Sequence, residues 1–155
     1  MHLALNMFVL YNFGEYVEHS LNGYFGGSGP YYYILLYFGG IIVSSMAAFK
    51  KHQDNRNYNS LGASGAVASV LFSFIIFEPT QSLYLFFIPI GIPAFIVGVL
   101  YLWYEQYMGK KGGTGIAHDA HFWGATYGAL LTIVLGPDLL SNFFHQISLW
   151  GQSFL

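Results

Sequence analysis

The fold class this sequence predicts is an all-α membrane protein, a polytopic bundle of five transmembrane helices with a C-terminal interfacial tail. Three observations predict it: a shortage of charge, five apolar runs near bilayer length, and turn signals between those runs. Of the 155 residues, 55% are hydrophobic, 20% aromatic and only 8% charged, with a mean hydropathy of +0.49. A water-soluble domain of this size carries roughly 25% charged residues. A chain with a third of that cannot cover its own surface in water, and lipid is its natural solvent.

Composition also excludes whole classes of function. With no cysteine, disulfides, thiolate catalysis and sulfur-ligated metals are ruled out. The net charge is −2, with basic residues confined to two short loops, so nucleic acid has no electrostatic foothold. The first apolar run carries His2 and Asn6 and lacks a basic leader, which is not the pattern of a cleaved signal peptide.

The five apolar runs fall at about 2–18, 31–49, 62–77, 82–104 and 117–136, against the ~20 helical residues that cross a bilayer. Between the first two, a glycine-rich stretch ends in Pro30, and residues 50–60 form the most polar segment of the chain. Glu78-Pro79-Thr80 makes a short turn, and 105–116 reads as a loop with Lys110, Lys111 and three glycines. The third run is rich in small residues (Gly62, Ala63, Ser64, Gly65, Ala66, Ala68, Ser69), which let helices approach closely in lipid and place it inside the bundle. The fourth contains Pro89 and Pro93, so a bent peripheral helix is expected there. In the tail, Leu140, Phe143, Phe144, Ile147, Trp150 and Phe154 recur near helical spacing with almost no charge, as in a short helix along the interface. One membrane domain over 1–138 and an amphipathic tail over 139–155 account for the chain.

If the runs alternate across the membrane, the N-terminus and the loops before runs 3 and 5 share one face. All five basic residues (Lys50, Lys51, Arg56, Lys110, Lys111) lie there. So do four polar residues within the first turns of helices entering from that face: His2, Asn6, Ser64 and His121. Their shared depth lets them converge, and polar groups at such depth are costly without partners, so they mark a functional site. Serine with histidine indicates nucleophilic catalysis, with His121 as general base for Ser64. Asp119, two residues from His121, points to the other side of its helix, so the expected arrangement is a dyad. His121, Gly124 and Gly128 share one helical face whose small residues admit a close neighbour. On the first run, His2 and Asn6 are one turn apart and both can donate to an oxyanion.

These residues resemble the rhomboid family of intramembrane serine proteases. Gly62-Ala63-Ser64-Gly65 is similar to the family's GxSG nucleophile motif, and Ala120-His121-Phe122-Trp123-Gly124 with Gly128 to its base motif. His2-Leu3-Ala4-Leu5-Asn6 is similar to its oxyanion motif, and Glu18 to a structural glutamate late in the same helix. The resemblance runs from residue 2 to about 136. It implies a rhomboid-like bundle with Ser64 as nucleophile, His121 as base, and His2, Asn6 and the Ser64 amide as oxyanion donors. Gly62, Gly65, Gly124, Gly128 and Glu18 would be structural supports. The implied activity is endopeptidase cleavage in or near transmembrane segments of other membrane proteins, with no metal or organic cofactor. The implied setting is a multi-pass protein of a lipid bilayer such as the bacterial inner membrane.

The chain departs from the family pattern in three ways. The first of six core helices is absent, which points to a start assigned at an internal methionine or to a fragment. Ala68 stands where some relatives place an aromatic residue. All five basic residues lie on the site's face, which the positive-inside rule would put in the cytoplasm, whereas the resemblance implies the opposite face. Two rival functions accompany the protease reading. One is a catalytically inactive rhomboid-like protein that binds transmembrane helices. The other is a metal site built on His118 and His121, for which only His2 and His52 were available on that face and no carboxylate stood well placed.

Overall fold

The structure is a computed structural model that describes residues 2–54, 63–84, 89–112 and 116–154, with the side chain of His2 outside that set. Helix α1 (His2–Phe25) is followed by a 3-10 turn (Gly26–Ser28) and α2 (Gly29–His52). Gly26 takes a left-handed φ of +58°, open to glycine at no steric cost, and the chain folds back so that the Tyr33 hydroxyl lies over Gly14. The glycine-rich loop expected from residue 19 is therefore shorter than its composition suggested. Val17 and Leu21 are fully buried, and their packing carries α1 through Asn22 and Gly23 against local preference.

α3 (Ser64–Phe77) is the centre of the bundle. All of its residues but Leu71 and Phe77 are buried, and α1, α2 and α5 (His118–Leu135) pack around it. α3 and α5 run parallel in a four-residue register. A Cβ on Gly124 would collide with the Gly65 backbone, and one on Gly128 with that of Ser69. Further along, Thr132 donates to Ser73 Oγ at 2.8 Å. The Ser69 hydroxyl lies between the carbonyls of Gly65 (3.0 Å) and Gly124 (2.8 Å). α2 runs the other way, with Gly40 against Ala66 and Ser69, and Ser44 against Gly65.

The outer surface is apolar. On α2, Leu36, Gly40, Ser44 and Ala48 turn inward, while Ile34, Phe38, Ile42, Met46 and Phe49 form an exposed stripe. Small residues inside and large apolar ones outside is the arrangement that lipid rewards and water penalises. By length and hydropathy alone, the helical stretch Leu3–His52 qualifies for crossing a bilayer, with an 18-residue window of mean hydropathy 1.7. α5 qualifies only together with α6 (Pro137–Gln152), as a pair bent by 109°.

The fourth run differs from its expectation. A helix from 82 with a proline bend is not what forms. Ser82–Leu83 (β1) and Ile92–Pro93 (β2) make a two-residue antiparallel ladder, and α4 (Ala94–Lys111) begins only after Pro93. Proline drives its predecessor towards extended backbone and is well tolerated at a helix start, not in its middle. At the other end α4 runs seven residues beyond the expected 104, to a cap at Gly112 with φ +65°. The supposed loop over 105–111 is thus the last two turns of a helix. The tail expected from 139 is helical from Pro137 to Gln152, and it is tied to the bundle by Leu139, buried, and by Gln146 Nε2 donating to Phe77 O at 3.0 Å.

Candidate active site

The site forms at the end of the bundle where α3 and α5 begin. Because these two helices are parallel and in register, the residue opening α3 faces the first turn of α5. Ser64 Oγ lies 2.8 Å from His121 Nε2, and each residue is 9% exposed. The contact depends on the glycines one turn further in. With Gly65 against Gly124 and Gly128 against Ser69, the two backbones come closer than any side chain would allow.

The imidazole of His121 is held from behind by a residue that sequence reasoning missed. Glu105 on α4 is 5% exposed; its Oε1 is 3.1 Å from His121 Nδ1 and its Oε2 2.6 Å from His118 Nδ1. Tyr104 stacks edge-on against His118, which stacks edge-on against His121. A carboxylate this buried is tolerated only when its oxygens are hydrogen-bonded, and here both are. The signal in the sequence was a lone acid inside the aromatic run Tyr101 to Tyr107. It read as the end of a membrane span, because a charge after an apolar stretch usually is one. Lys111 lies six residues, about 9 Å, beyond it along the helix, so Glu105 sits well inside the bundle.

A cavity of about 260 Å³ opens onto this group, lined by Leu5, Asn6 and Val9 of α1, Ser64, Val67, Ala68 and Leu71 of α3, Tyr101, Tyr104 and Glu105 of α4, and Ile116, His118 and His121. Asn6 therefore shares the cavity with Ser64. The first-turn amides of α3 have no acceptor within their own helix, and its N-cap residue Ala63 supplies no side-chain bond. Ala68, the small residue noted above as a departure from some relatives, also lines this cavity. Gly62 and the His2 side chain lie outside the described residues. Glu18 is exposed on α1.

Asp119 does point away from the site. It meets Lys51 Nζ at 2.8 Å and His52 Nε2 at 3.0 Å, while Lys51 also donates to Gly109 O at 3.1 Å. This clip joins the end of α2, the end of α4 and the start of α5, and it engages His52 away from His118 and His121. The expectation that no carboxylate stood near those two histidines is corrected by Glu105. Glu105, His118 and His121 present ligand atoms within 4.8 Å of one another, a spacing that admits a divalent cation. As they stand, each Nδ1 faces a carboxylate oxygen at hydrogen-bonding distance, which satisfies the carboxylate without one.

Fold and site together define a class: an all-α bundle with a serine and a histidine paired at one end beside a small cavity. Comparison with known proteins sharpens it. Residues 1–138 match the Rhomboid domain, and the chain belongs to the rhomboid family, a family of membrane proteins. It is similar to RHOMBOID-like protein 12, mitochondrial, of Arabidopsis thaliana, at 31% identity over 140 residues. That alignment covers 83% of this chain and 40% of the plant protein, so the chain spans well under half the length of the relative. No solved structure matches.

Proposed function

We propose that this chain is an intramembrane serine endopeptidase that cleaves peptide bonds in or near transmembrane segments of other membrane proteins. The observation that carries the proposal is the 2.8 Å approach of Ser64 Oγ to His121 Nε2 at the mouth of a cavity that Asn6 also lines. His121 takes the Ser64 proton as Oγ attacks the scissile carbonyl, and it returns that proton to the leaving amine. Asn6, the Ser64 amide and, by resemblance, His2 donate to the oxyanion.

Depth fits the substrate class. α3 has 14 residues, about 21 Å of helix against ~30 Å of hydrocarbon. With its far end at the opposite interface, Ser64 opens below the membrane surface. A substrate helix hides its carbonyls in its own hydrogen bonds, so it must unwind before attack, and helix-breaking residues near the cut favour cleavage. The name of the plant relative lends no support to the bacterial inner membrane as the location. The proposed chemistry calls for a membrane-embedded substrate and for no particular compartment.

The test is cleavage of a model transmembrane substrate by the purified chain in detergent or vesicles. Ser64→Ala and His121→Ala each abolish cleavage, and Asn6→Ala lowers it on the order of 10²-fold or more. A fluorophosphonate labels the wild type at Ser64 and leaves Ser64→Ala unlabelled. Cleavage that survives Ser64→Ala refutes the protease reading. Substrate binding with no cleavage by the wild type favours the non-catalytic helix binder instead.

A further inference from the structure

Resting on the protease reading, we infer that Glu105 is the third member of the catalytic group, a positioning residue that fixes the tautomer of His121 and balances its charge during proton transfer. Serine and histidine alone leave His121 free to carry its single proton on either ring nitrogen. Only the form with the proton on Nδ1 presents a lone pair at Nε2 to the Ser64 hydroxyl. Glu105 Oε1, 3.1 Å from Nδ1, accepts that proton's hydrogen bond and selects the productive form. When Oγ bonds to the carbonyl carbon, the Ser64 proton moves to Nε2 and the imidazole becomes a cation. The carboxylate stands against the new charge without itself taking the proton. As the carbon–nitrogen bond breaks, Nε2 gives the proton to the leaving amine and the ring returns to its starting form.

His118 explains why the carboxylate stays aimed. Its Nδ1 lies 2.6 Å from Oε2, and both it and Glu105 are almost fully buried, so the carboxylate is gripped by an imidazole on each oxygen. Backbone position supports the same reading. Glu105 lies one turn after Tyr101 on α4, and both line the cavity that Ser64 and His121 line.

Substitution by glutamine separates positioning from packing, because the amide keeps the shape and loses one acceptor. A carboxylate accepts from both imidazoles, whereas an amide accepts from one and must donate to the other. In Glu105→Gln one histidine is therefore driven to the opposite tautomer. The expected result is a fall in kcat on the order of 10²- to 10⁴-fold, the upper figure being that of the analogous aspartate-to-asparagine exchange in a soluble serine protease triad. KM stays within about threefold, since both Glu105 oxygens are engaged by the imidazoles and not by substrate. Histidine ¹⁵N spectra of the purified protein show His121 protonated at Nδ1 in the wild type and shifted towards Nε2 in the variant. Glu105→Asp, which keeps two acceptors, recovers part of kcat, and its folding is checked by thermal unfolding in detergent. If Glu105→Gln does not fold, His118→Gln loosens the carboxylate from its other side, with an expected ~10-fold loss in kcat.

A wild-type chain that cleaves while Glu105→Gln retains full kcat and an unchanged His121 spectrum overturns this inference and leaves the protease reading intact. A wild type that never cleaves removes both. Stoichiometric zinc in the purified protein, lost in Glu105→Gln, overturns the positioning role in favour of a metal centre.

Discussion

Gly124 is where a single methyl group tests the geometry. Adding a Cβ in Gly124→Ala places that carbon 2.8 Å from the Gly65 Cα, with the Gly65 carbonyl oxygen nearer still. These are backbone atoms and cannot rotate away. Carbon atoms pack at about 3.5–4.0 Å, so α3 and α5 must separate by about 1 Å at this level. The Ser64–His121 pair, one turn away, then lengthens from 2.8 Å to roughly 3.8 Å, outside hydrogen-bonding range. Losing general-base assistance costs about 10²- to 10⁴-fold in rate, and the overpacking itself costs about 1–3 kcal/mol of stability. Rates of fluorophosphonate labelling at Ser64 read the first quantity, and thermal unfolding in detergent reads the second. A variant with wild-type labelling and wild-type unfolding would refute the claim that the helix contact sets the serine–histidine distance.

Two further outcomes follow from contacts away from the reacting atoms. Ser73→Ala and Thr132→Val remove the two ends of a buried interhelical hydrogen bond; a double-mutant cycle on unfolding should give a coupling of about 0.6 kcal/mol and no more than ~1.7 kcal/mol, the range for such bonds in membranes. Lys51→Met cuts one arm of the Asp119 clip, whose lysine is 46% exposed; the expected loss is below ~1 kcal/mol and shrinks with added salt, and a large, salt-independent loss would contradict a solvent-screened tie.

Much of the site was legible because depth and side follow from chain alternation. Ser64 and His121 open helices that enter from the same face, so a count of apolar runs sufficed to bring them to one level. Gly124 and Gly128 fell on the face of His121 by periodicity alone, and Asp119 pointed away for the same reason. What composition obscured was where helices stop. Asn22 and Gly23 looked like a loop until Val17 and Leu21 were found anchoring them, and Glu105 looked like the end of a span.

The sequence by itself determined the class of solvent, the helical bundle, the end of it that holds the site, and the residue types that meet there. Those follow from hydrophobicity and from the 3.6-residue period, which are properties of short stretches. Only the tertiary structure decided that a carboxylate from α4 lies behind His121. That depends on how α4 is rotated against α5. Such a rotation is fixed by packing among residues far apart in the chain, and no local pattern encodes it.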